Sequence, residues 1–134
     1  MTIKINQAAL NKVLKTVDNA FAEVVTALDN EFHAVIEDTS EFSDLGLDNQ
    51  DIIDTGRFND SQVLNVSRQG DKTVANYEWN PHAPITGEPY AGRILTGFRA
   101  YRVGRWIPGR DWTERAVKRL DPVEMFKREI GFLS

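Results

Sequence analysis

The sequence predicts an α+β fold: a long N-terminal helix packed on a small antiparallel sheet built around a hairpin, with C-terminal helices. Three observations predict it. One apolar stripe at helical spacing runs unbroken through the first 37 residues. Two alternating segments flank Gln69-Gly70-Asp71. Two short helical patterns follow, one opened by Asp111 and one by Asp121-Pro122. A chain of 134 residues fits a single domain large enough to bury a core without disulfides or metal.

The stripe consists of Leu10, Leu14, Val17, Phe21, Val24, Leu28, Phe32 and Val35, three or four residues apart. It predicts a helix over residues 7–37 with Asn6 as N-cap, while Lys12, Lys15, Asp18, Glu23 and Asp29 fall mostly off the stripe. Such a helix is about 45 Å long at 1.5 Å per residue, more than one small sheet covers. Part of the stripe is therefore expected to meet a partner subunit, or the helix to bend; His33 beside it reads as a boundary residue. Residues 38–51 are acidic, carry Gly46 and few bulky side chains, and read as a surface linker with one short turn.

Residues 52–120 are expected to hold the hairpin-containing core. Strands are predicted at 61–68 and 72–79, where Thr73, Ala75, Tyr77 and Trp79 alternate with Val74, Asn76 and Glu78. Asn80-Pro81-His82-Ala83-Pro84 ends that sheet, because proline has no N–H for the ladder. Residues 90–97 form a short apolar element, and 98–107 a further strand or an extended arm. Trp112, Ala116 and Leu120, spaced by four, predict a helix capped by Asp111. Pro122 at a first helical position opens the last helix, with Val123, Phe126 and Ile130 on one side, before Gly131 and an apolar tail. Residues 121–134 thus make a C-terminal helix and tail.

Composition removes several classes of function. Without cysteine there is no disulfide framework, thiolate metal site or cysteine nucleophile. No apolar run matches a signal peptide or a membrane span, so the protein is expected to be made and used in the cytoplasm. The net charge of −4 conceals a division. Residues 1–60 hold twelve acids against four bases, −8, and residues 61–134 hold eight acids against twelve bases, +4. Three readings follow: pairing within the chain, head-to-tail attraction between copies, or a nucleic-acid patch. The last is the weakest, since the whole chain is acidic and the arginines form no recognised binding motif.

Ile52-Ile53-Asp54-Thr55-Gly56 resembles the active-site loop of an aspartic protease, whose chemistry needs two aspartates sharing a proton. Here Arg57 and Phe58 follow where a small residue is wanted, and a long helix and an acidic linker precede. The plainer reading makes Asp54, Thr55 and Gly56 a turn or cap, with glycine supplying a positive φ. His82, in a proline-rich turn near Glu78 and Glu88, and His33 lie about fifty residues apart and form no metal signature. No serine stands in a nucleophile elbow, and no glycine-rich loop has phosphate-binding spacing. The sequence offers no catalytic constellation, cofactor site or metal site. Trp79, Trp106 and Trp112, with Tyr90, Phe98 and Tyr101, are concentrated in the arginine-rich half. They read as an aromatic core rimmed by arginines or as an assembly surface, and both favour assembly over catalysis.

Taken in order, the short motifs resemble one family. Asp54 to Phe58 with Ser61 look like the approach to the hairpin in bacteriophage tail-completion, or head–tail joining, proteins of the neck. Tyr90, Ala91, Ile94 and Gly97 match the family's tyrosine segment, and Arg110, Trp112 and Ala116 its following helix. The resemblance covers about residues 52–120, and the long first helix suits it. Residues 80–89 are longer and richer in proline than the family pattern, and the terminal helix lies outside it. The resemblance implies a non-enzymatic virion protein at the head–tail junction, a homo-oligomeric ring of about six copies. It would dock other neck and tail proteins, touch no membrane, and meet DNA at most as it passes through the channel. Arg93, Phe98, Arg99, Tyr101, Arg102, Trp106, Arg110 and Trp112 are then expected at the assembly interface. Glu41, Asp44 and Asp48 are expected to face the channel, where like charge repels phosphates and lets a genome slide. A tail terminator is the near alternative; an aspartic protease using Asp54 and a small DNA-binding module are the alternatives from other classes.

Overall fold

The computed structural model describes residues 6–49, 56–70, 72–84, 86–100 and 104–131. It is α+β, with the long helix first, two antiparallel pairs of strands and two helices at the C-terminal end. Helix α1 spans Gln7–Glu37, and Asn6 Oδ1 accepts from Ala9 N at 3.1 Å to close its first turn. Over the second half, Val24, Phe32 and Val35 of the predicted stripe are buried and Phe21 and Leu28 half-buried, and Ala20, Val25 and Ile36 beside the stripe are buried with them. Over the first half the cover is thinner: Leu14 is 54% exposed and Val17 half-buried.

The segment after α1 departs from expectation. It does contain one short 3₁₀ turn, Ser43–Leu45, but it is packed rather than free. Phe42 is fully buried in the core, and Asn49 is buried beneath the end of α1. Asn49 Nδ2 donates to Val35 O at 3.1 Å and to Asp38 O at 2.8 Å, adding a shorter bond to helix-end carbonyls whose backbone donors, Asp38 N and Glu41 N, stand at 3.4 Å. Acidic composition concealed this, because the buried Phe42 and Asn49 and the half-buried Leu45 and Leu47 are scattered among the acids.

Gly56 adopts φ +68°, the left-handed region, and leads into a single-turn helix α2, Arg57–Asp60, which places Phe58 in the core. Strands β1 (Val63–Gln69) and β2 (Lys72–Glu78) pair antiparallel with Leu64 opposite Tyr77 and Val66 opposite Ala75. Tyr77 Oη donates to Val25 O at 2.7 Å and Gln62 Nε2 to Asp29 O at 2.9 Å, pinning the base of this hairpin to α1. Residues 90–97, read as a short apolar element, contain helix α3, Ala91–Thr96. The arm expected at 98–107 is a second hairpin of β3 (Gly97–Ala100) and β4 (Arg105–Pro108). The sheet is therefore two separate ladders of two strands, not one.

Helix α4, Trp112–Leu120, is the main partner of α1, with Trp112 and Ala116 buried. Asp111 precedes it without a capping hydrogen bond; its carboxylate takes Arg115 instead. Helix α5, Pro122–Glu129, also lies against α1, and Asp121 caps it by accepting from Glu124 N at 3.4 Å. Of the residues expected on one side, Phe126 and Ile130 are half-buried, as is Met125, while Val123 is 64% exposed.

One cluster joins these elements: Phe32, Val35, Ile36, Phe42, Phe58, Ile94, Trp112 and Ala116. Through it runs a series of edge-on rings, Tyr77 to Phe32 (4.8 Å), Phe32 to Trp79 (5.1 Å), Trp79 to Trp112 (5.4 Å) and Trp112 to Phe58 (4.9 Å). Edge-to-face packing sets positive ring edges against negative faces, worth about 1 kcal/mol per pair beyond area burial. Two of the three tryptophans are thus spent on the core.

Candidate assembly surface

The charges divide between the two halves of the sequence, and folding brings them together. Arg115 of α4 lies over the Phe42 ring at 4.4 Å and grips Asp44 through both guanidinium ends, at 2.8 and 2.9 Å. Its Nε meets Asp111 at 2.8 Å, and Nη1 donates to Glu41 O at 2.5 Å. One turn on, Arg119 reaches Glu31 at 2.7 Å, Glu41 at 3.2 Å and Asp38 at 3.4 Å. The acidic segment is clamped to α4 across a cleft of about 550 Å³ lined by Glu41, Asp44, Asp111, Arg115 and Arg119 with Glu114 and Lys118.

The pKa shifts follow from that clamp. The hydrogen bonds from Arg115 hold the Asp44 carboxyl below the usual aspartate value, and Arg115 itself is pushed up chiefly by its hydrogen bond to Asp44. Asp38 is also held low, first by hydrogen bonds from Ser40 and then by Arg119. Glu23 moves the other way, raised by hydrogen bonding and repulsion from Glu129 where α5 meets α1. Burial beside Val25 pushes the Tyr77 phenol up to about 12, helped by the charge of Asp29. Burial likewise raises Tyr90, against the charge of Arg57.

The described residues among the eight expected at an assembly interface are not gathered on one surface. Arg110 and Trp112 point inward, only 2% and 5% exposed, with Arg110 Nη2 donating to Asp48 O at 3.3 Å. Within this chain they are core residues, a correction to their expected interface role; arginine and tryptophan look alike in sequence whether they rim a core or face outward. Phe98 is half-buried beside the buried Ile107. Arg93 is on the surface, paired with Glu88 at 3.4 Å. Arg99 and Trp106 stand opposite each other on the outer face of the β3–β4 ladder, and Trp106 is 62% exposed. Tyr101 and Arg102 lie outside the described residues, as do Asp54 and Thr55 of the expected turn, while Gly56 has the left-handed backbone that turn requires. Of the acids expected along a channel, Glu41 and Asp44 are engaged by arginines, and Asp48 is exposed at its side chain.

A feature missed in the sequence lies between α1 and the first hairpin. Phe21, Ala22 and Val25 face Leu64 and Val66 across an apolar groove of about 340 Å³, with Asp18, Thr26, Arg68 and Thr73 at its margin. The signal was present in two pieces, the α1 stripe and the alternation of β1, but nothing local says that they meet without closing. His33 Nδ1 contacts Asn59 Oδ1, and Asn59 Nδ2 donates to Glu37 at 2.6 Å, so His33 is a boundary residue held in a polar network. His82 Nδ1 donates to Gly87 O at 2.8 Å within its turn. Among the described residues no three potential ligands stand where they would hold a metal ion, and no described helix is long and apolar enough to cross a membrane.

Comparison with protein-family models, with characterised proteins and with solved structures returns no match.

Proposed function

We propose that this chain is a non-enzymatic structural subunit of a bacteriophage neck, forming or completing a ring at the head–tail junction. The observation that carries the reading is apolar surface left exposed at two places on one small chain, along the α1–β1 groove and on the β3–β4 ladder. Leu14 on α1, Val66 on β1 and Trp106 on β4 are each more than half exposed. A chain with that much apolar surface is completed by neighbours rather than by solvent. Further support comes from the motif set behind the resemblance. Phe58, Ile94, Trp112 and Ala116, drawn from motifs nearly sixty residues apart, converge on one core, so their order in the sequence has a structural reason. Among the described residues neither ladder gains a third strand, which leaves edge N–H and C=O groups for another chain to take up.

In this role the Arg115–Asp44 and Arg119–Glu41 clamp keeps the acidic segment fixed to α4 and holds its shape during assembly. Its task would be to cap or complete one assembly and present a docking surface to the next. The test is electron microscopy of lysates from a phage or prophage with a stop codon in this gene. Filled heads beside separate finished tails are expected; tails of abnormal length would instead assign termination. Normal joined particles would overturn the neck role.

A further inference from the structure

We infer that copies of this chain associate head to tail by seating Trp106 of one copy in the α1–β1 groove of the next. The inference deepens the assembly reading above and rests on it for its biological setting. The projecting part is built on the β3–β4 ladder, whose two faces differ. Phe98 and Ile107 turn to the body, and Arg99 and Trp106 turn outward from paired positions. Trp106 is backed by Gly97, at φ +93°: a Cβ there would stand 2.8 Å from Trp106 Cζ2 and 2.7 Å from Ile107 O. The absence of a side chain at 97 therefore lets the indole lie over the strand with its outer surface in solvent. An exposed tryptophan held this way is costly alone and is the residue type most enriched at the centres of interfaces.

The receiving part is the groove of Phe21, Ala22, Val25, Leu64 and Val66. Trp106 is not among the described residues that line it, so the chain does not fill it with its own indole. Its volume of about 340 Å³ falls in the range of about 300–1,000 Å³ typical of pockets that enclose small rings. The margin charges match the projecting face. Asp18 is a counter-ion for Arg99, and Arg68 can lie over the indole, where the ring's negative face attracts a guanidinium. Leu14, one turn beyond the groove on the same face of α1, extends the apolar track that the neighbour would cover. Because projection and groove are different surfaces, the contact is heterologous, and repetition gives a closed ring or an open filament.

The cysteine-free sequence makes the contact directly trappable. Purified Arg99→Cys and Asp18→Cys chains, both altered at exposed positions, are mixed at high concentration and oxidised gently. The expected product is the mixed disulfide, in at least about tenfold excess over dimers from either variant alone. Adding Trp106→Ala to the Arg99→Cys chain should lower that yield by about tenfold or more, the usual effect of truncating a tryptophan hot spot. Trapping no better than self-pairing, or trapping indifferent to Trp106→Ala, overturns the contact. Sedimentation of the unmodified chain separates the two readings. Oligomers without trapping reject this contact and leave the neck role standing. Trapping by a chain whose loss leaves phage joining intact rejects the neck role and leaves the contact.

Discussion

Phe58→Ala tests whether the segment after Gly56 is structural. Phe58 is fully buried and meets Trp112 edge-on at 4.9 Å. Removing the ring forfeits about 2–3 kcal/mol of transfer free energy and about 1 kcal/mol of ring–ring contact. The cavity left where the walls cannot fully collapse adds about 1 kcal/mol. The sum is about 4–5 kcal/mol, a large part of the roughly 5–15 kcal/mol that stabilises a domain. At about 3 °C per kcal/mol for a chain of this length, Tm should fall by about 12–15 °C. Urea unfolding followed by tryptophan fluorescence is the assay, since Trp112 and Trp79 lie in the affected cluster. Phe58→Leu should cost only about 1 kcal/mol, and Val123→Ala, at an exposed site, less than about 0.5 kcal/mol. A Phe58→Ala protein within about 1 kcal/mol of the parent, at unchanged denaturant slope, would refute the packing argument.

Three other predictions follow from the same coordinates. Gly56→Ala should destabilise by about 1 kcal/mol, because a Cβ is strained at φ +68° and would stand 3.3 Å from Asp60 Oδ2; thermal melts of the purified variant check it. Asp38 and Asp44 have folded pKa values below the ordinary 3.8. Their contribution to stability is therefore present above about pH 4 and is lost as pH falls through the lower folded values. Arg115→Ala should remove the Asp44 share and flatten the melting profile below about pH 4. Glu23 has the opposite sign: its folded pKa lies above the ordinary 4.5, so repulsion from Glu129 weakens the α1–α5 contact at neutral pH and is relieved on acidification. Glu129→Gln should accordingly raise Tm at pH 7 and abolish the gain seen near pH 5, as calorimetry at the two pH values will show.

The features legible in the sequence are those set by neighbours a few residues away. Asn6, the stripe from Leu14 to Val35, the turn around Gly70 and Asp121-Pro122 each act through local backbone and side-chain geometry, and each appears where its pattern placed it. What tertiary structure alone decided is which surface meets which. Arg115 and Asp44 are paired across 71 residues, and Arg119 and Asp38 across 81; a charge has no sequence mark that distinguishes a paired one from a solvated one. Phe42 and Asn49 anchor an acidic stretch that composition made a linker, because burial depends on the helix that passes above them. Arg110 and Trp112 went into the core while Trp106 stayed outside, since one residue type serves either place and only the packing of α4 and the β3–β4 ladder chooses between them. The long helix itself was determined locally. How much of it stays bare was decided by the size of the body that folds back on it.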